Sequence, residues 1–102
     1  MTLINQQVDS EGFIGGMITV MMFFESAPTT VTMEVYDPYL ALVDTGTFTR
    51  LSARTYLYEY QSLDTNIDGT YRLVTKAVTS TGKTFLTQYE TDLDYPAPNT
   101  LL

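Results

Sequence analysis

The sequence predicts an all-β fold, an immunoglobulin-like antiparallel sandwich of about seven or eight strands. Three observations carry that expectation. Threonine, valine and tyrosine dominate short runs in which polar and apolar residues alternate with period two. Turn residues separate these runs at short intervals, the rhythm of a sandwich. Nowhere do apolar residues hold an i, i+3, i+4, i+7 pattern over several turns between credible caps.

Taken in order, the run TLINQQV reads as an edge strand or a loose arm, so residues 1–8 stand apart from a single sandwich domain at 9–94. Asp9 to Gly12 reads as a turn. Met17 to Phe24 is a strand apolar on both faces, with Ile18, Val20, Met22 and Phe24 on one and Met17, Thr19, Met21 and Phe23 on the other. TTVTMEVYDP alternates cleanly and closes at Asp37-Pro38, because proline has no N–H for a continuing ladder. YLALV and TFTRL flank Asp44-Thr45-Gly46, which reads as a hairpin turn. ARTYLYEYQS sets Tyr56, Tyr58 and Tyr60 on one face. TYRLVTKAVT and KTFLTQYETDL are joined by Ser80-Thr81-Gly82, a three-residue loop whose final glycine takes the left-handed position. The tail at 95–102 carries Pro96 and Pro98, is expected to be extended, and ends in Leu101 and Leu102.

Composition narrows the function. The 102 residues fit one domain, and neither cysteine nor histidine is present, which removes thiolate chemistry, the usual general base and the commonest metal ligand. Net charge is −7, and the basic residues Arg50, Arg54, Arg72, Lys76 and Lys83 are scattered rather than clustered. Phosphate binding rests on clustered cations, so neither nucleic acid nor an anionic membrane is expected as a partner. The apolar stretch from Phe13 to Phe24 is shorter than the roughly 20 residues of a membrane-spanning helix. It also lacks the positive flank of a secretion signal, since no Lys or Arg precedes Arg50.

Four candidate sites follow from the residues. Asp64, Asn66, Asp68 and Gly69 stand at positions 1, 3, 5 and 6 of a calcium loop, but Arg72 falls at position 9 and Thr75 at the position of the closing glutamate. A turn with Asx side chains bonding their own backbone is the expectation, with calcium as the weaker alternative and no other cofactor. Gly69-Thr70-Tyr71 at the start of a strand suggests a tyrosine corner, with Tyr71 structural. The tyrosine row at 56, 58 and 60 is expected to face the core, with a glycan-binding surface as the alternative. If Ile18, Val20, Met22 and Phe24 fill the core, then Met17, Met21 and Phe23 face outward as an interface, unless the N-terminal segment or Leu101-Leu102 covers them. No residues meet the requirements of a catalytic site, so no enzyme is expected.

The runs PTTVTMEVYDP, TYLYEYQS, DGTYRLVTKAVTSTGKT and YETDL together resemble small immunoglobulin-like sandwich proteins encoded among the head and tail genes of tailed bacteriophages. The resemblance spans Met17 to Leu93. It departs after Asp37-Pro38, where YLALV replaces a glycine-containing turn, and at YRLVTK, which stands in place of an aromatic-rich strand. The resemblance implies a non-enzymatic virion component of head, neck or tail, present in the host cytoplasm during assembly. Its partners would be other virion proteins or further copies of itself. The rival expectation is a cell-surface or adhesion module binding glycan or protein.

Overall fold

The computed structural model describes residues 3–63 and 66–95. Eight strands, β1 (Leu3–Ser10), β2 (Met17–Phe24), β3 (Thr30–Tyr36), β4 (Leu42–Thr47), β5 (Thr49–Ser52), β6 (Thr55–Gln61), β7 (Gly69–Val78) and β8 (Thr84–Leu93), make up the described fold. They form two antiparallel sheets ordered β1-β2-β6-β5 and β4-β3-β7-β8. This is the immunoglobulin-like order, with A-B-E-D on one side and C′-C-F-G on the other.

Period two decides what is buried. On β2 the burial alternates residue by residue, and Ile18, Val20, Met22 and Phe24 are all shut from solvent. Facing them from the second sheet are Val31, Met33 and Val35 of β3 and Tyr71, Leu73 and Ala77 of β7. Each large apolar side chain so buried contributes roughly 1.5–3 kcal/mol against its exposed state. Leu73 lies where an immunoglobulin domain carries a cysteine, so no disulfide joins the sheets here.

The tyrosine row faces inward. Tyr56 and Tyr60 are buried opposite Met22 and Ile18, and the Phe24 ring meets Tyr56 edge-on with centroids 5.7 Å apart. Tyr58 is half-buried and reaches across to the second sheet, where its hydroxyl donates to the Asp44 carboxylate. Burial first, and then the Asp44 carboxylate, push the Tyr58 phenol well above its usual range.

That contact explains one correction. Asp44-Thr45-Gly46 is not a hairpin turn but the middle of β4, paired with β3 from Thr32↔Thr47 to Val35↔Asp44. Gly46 is there because the Tyr58 ring lies against it; a Cβ would sit 3.2 Å from a ring carbon. The chain then crosses between sheets at Phe48, whose N–H bonds the Val31 carbonyl and whose buried ring packs on Tyr58. Thus Leu42 and Val43 belong to one sheet and Thr49 to Leu51 to the other.

A second correction concerns the N-terminus. Residues 3–10 form an edge strand paired with β2 through Ser10↔Ile18, so Asp9 and Ser10 belong to the strand and the turn lies at 11–16. Gly12 and Gly15, both at positive φ, let the chain reverse there. Buried Ser62 holds this loop, accepting from the Gly15 N–H at 2.9 Å and donating to the Gly16 carbonyl at 2.6 Å.

At the same end of the molecule, fully buried Tyr71 donates its hydroxyl to the Ile67 carbonyl, 2.5 Å away and four residues upstream. This is the geometry of a tyrosine corner. Gly69, at φ +133°, lies so close to Pro38 that a Cβ would come within 2.7 Å of its ring. The hairpin between β7 and β8 follows expectation: Gly82 adopts φ +84° and its N–H bonds the Thr79 carbonyl.

Two substitutions check this account by urea denaturation. Tyr71→Phe should cost about 1–3 kcal/mol, the range for stranding a buried carbonyl. Gly69→Ala should destabilise through both its backbone and Pro38, whereas Gly82→Ala, with open space around it, should suffer only the backbone strain of about 1–2 kcal/mol.

Candidate interaction surface

The outer face of the first sheet is built by the other half of the β2 alternation. Met17, Met21 and Phe23 all point outward and are half-buried by neighbouring side chains. Met21 pairs with Leu57 of β6 and Phe23 with Thr55, while β1 contributes Gln7 and Asn5 beside them. The result is an apolar centre of Met21, Phe23 and Leu57 with a rim of Asn, Gln, Thr and Glu59. Leu101 and Leu102 lie outside the described residues.

The second sheet's outer face is more polar. Thr32, Glu34, Val74, Lys76 and Leu86 floor a depression of about 400 Å³. It adjoins another of about 280 Å³ lined by Tyr36, Leu40, Arg72, Val74 and Gln88. The Tyr36 hydroxyl donates to Glu34 at 3.0 Å, and that carboxylate raises the affinity of the exposed phenol for its proton. Arg72 and Glu90 form a surface ion pair at 3.4 Å, worth about 0–1 kcal/mol.

The loop after Asp37-Pro38 overhangs the smaller depression. Asp37 organises it: one carboxylate oxygen accepts from the N–H groups of Tyr39 and Ala41, and the Asp37 carbonyl accepts from Leu40. Leu40 itself adopts φ +64°, the left-handed region, where no other non-glycine residue lies among the described residues. Tyr39 is 82% exposed and Leu40 60% exposed. A strained leucine held out to solvent where glycine fits costs about 1–2 kcal/mol and gains no burial. Sequence reading marks this loop as remodelled but gives no sign of the strained backbone.

Of the candidate calcium residues, Asn66 and Asp68 are among those described. Asp64 lies outside the described residues. The Asn66 Oδ1 accepts from the Leu63 N–H at 2.5 Å and from Tyr60 at 3.3 Å, the work of a turn residue. Asp68 is exposed, and no group of three or more potential metal-ligating side chains occurs among the described residues.

The architecture defines the protein as an immunoglobulin-like sandwich. No family model matches the chain, and no curated protein matches its sequence. Among solved structures it is similar to CopC from Methylosinus trichosporium OB3b, with a TM-score of 0.64 and 15% identity over 91% of this chain and 92% of that one. It is also similar to an engineered protein, with a TM-score of 0.59 and 16% identity, where 93% of this chain spans 20% of the other. Likeness at this level is a likeness of fold.

Replacing Leu40 with glycine should raise stability by about 1 kcal/mol, seen as a higher urea midpoint, because strain relief outweighs the added chain entropy. Alkaline pH should do the opposite. The folded state holds the Tyr58, Tyr60 and Tyr71 phenols protonated by burial, while the unfolded chain releases those protons near the ordinary value of 10.0. Stability is therefore full below that pH and falls above it. The fall in urea midpoint between about pH 9 and pH 11 should be shallower in Tyr58→Phe.

Proposed function

We propose that this protein is a non-enzymatic structural protein acting through protein–protein contacts, a component of the head, neck or tail of a phage particle. The observation that carries the interaction reading is the apolar centre of Met21, Phe23 and Leu57 on the outer face of the first sheet. A sandwich needs apolar side chains on its inner faces only, so a cluster on an outer face is suited to a partner. The exposed, strained tip at Tyr39 and Leu40 supports the same reading from the opposite sheet. The phage setting rests on the resemblance of PTTVTMEVYDP, DGTYRLVTKAVTSTGKT and YETDL to small sandwich proteins of phage head and tail genes.

The rival glycan reading loses its main support. Tyr56 and Tyr60 are in the core, so there is no row of exposed rings along β6 for sugars to stack on.

The test is incorporation. Virions encoding this chain, purified on a density gradient, should contain it when their peptides are read by mass spectrometry. A Phe23→Asp variant should fold, by circular dichroism, yet be depleted from particles at least tenfold. A protein found only in the soluble fraction of infected cells would overturn the proposal.

A further inference from the structure

A two-sheet sandwich exposes four strand edges, and each is a template for pairing unless something blunts it. Three of the four are blunted here. The register of β1 is broken between Leu3 and Asn5. β5 has four residues and a shift between Arg50 and Ser52. The pairing of β4 shifts beside Val35, and it turns the charged Asp44 inward to meet Tyr58. β8 carries none of these devices: its ten residues pair with β7 in unbroken register, without proline or an inward-pointing charge.

The backbone of β8 shows which groups are free. Lys83 at the strand's start bonds Thr79 with its carbonyl, toward β7, whereas Asp94 past its end bonds Gly12 and Ile14. Backbone groups alternate along an antiparallel strand. Residues 84, 86, 88, 90 and 92 therefore turn their N–H and C=O groups away from β7, to the open edge.

From this we propose that β8 pairs antiparallel with β8 of a second copy about a twofold axis at Thr87, joining the two second sheets into one. The proposal deepens the protein-contact reading above and rests on it. Charge selects both partner and direction. The acidic residues Glu90 and Asp92 lie in the C-terminal half of the strand with Asp94 just past its end, and Lys83 precedes an uncharged half of Thr84, Phe85 and Leu86. Antiparallel self-pairing sets each acidic half against a neutral one, while parallel pairing would stack Glu90 on Glu90 and Asp92 on Asp92.

Side chains select the register. Centred on Thr87, Phe85 faces Tyr89 of the second copy at both ends, an aromatic cross-strand pair that covers a ring now 43% exposed. Leu86, 64% exposed, then lies opposite Gln88, and Thr84 lies opposite Glu90. Moving the centre to Gln88 would set Phe85 against Thr91 and lose both aromatic pairs.

Light scattering over a concentration series, with circular dichroism on each variant, tests this. The native chain should rise from its 11.5 kDa mass toward twice that value. Gln88→Pro removes an outward N–H without breaking a bond to β7 and should stay folded while weakening association at least tenfold. Thr87→Cys places two thiols directly opposite each other in a chain with no other cysteine. Diamide, taking up two electrons and two protons, should then link them as a disulfide at least tenfold faster than in a Thr91→Cys control. Monomer at every concentration, a dimer indifferent to Gln88→Pro, or equal cross-linking in the two cysteine variants would each overturn the pairing. Should Gln88→Pro unfold, the cross-linking comparison decides alone. A monomer still found in virions would sink β8 pairing and leave the proposed function standing, whereas a β8 dimer absent from virions would do the reverse.

Discussion

The dry slab between β2 and β6 on one side and β3 and β7 on the other is the constraint from which the rest of the molecule follows. Side chains in a strand alternate between faces, so each of these central strands can fill the slab with only half of its residues. Ile18, Val20, Met22, Phe24, Val31, Met33, Val35, Tyr56, Tyr60, Tyr71, Leu73 and Ala77 belong to that half. With no disulfide between the sheets, their burial and the Tyr58–Asp44 contact hold the layers face to face. What the slab leaves over, two outer faces and four strand edges, is the material available for function.

The loops at one end are tied back to that slab rather than left to water. Tyr71 reaches from within β7 to Ile67, Ser62 grips Gly15 and Gly16, and the Phe13 segment bridges to Asp94. The opposite is visible at Tyr39 and Leu40, both held out to solvent, Leu40 with its backbone in the left-handed region. On the proposed reading, the exposed leucine, the apolar outer face and the unblunted edge all serve contacts with other surfaces. That reading makes these features a set instead of three separate oddities.

Much of the fold was legible in the residues because its signals are local. The alternation in β2, β3, β6, β7 and β8 located those strands, and Gly82 located the last hairpin. Asp44-Thr45-Gly46 misled for a physical reason: its turn-like residues answer to Tyr58, a neighbour across the sandwich that no local pattern records. Ser62 gave no signal, since a serine in a polar run looks like any loop residue until Gly15 and Gly16 are brought beside it. The outward placement of Met17, Met21 and Phe23 could be read from period two. The openness of β8 could not, because an edge is defined by the absence of a neighbour and by the bulges of the other strands.

The central claim, that β8 is the one edge left open and is closed by a second copy, can be read directly from amide hydrogen exchange by NMR. Bonds to β7 should protect the amides of Phe85, Thr87 and Tyr89 at any protein concentration. The amides of Leu86, Gln88 and Glu90 should exchange freely in dilute solution and become protected as concentration rises. The same three amides exchanging freely at every concentration, or protected equally at every concentration, would contradict the account.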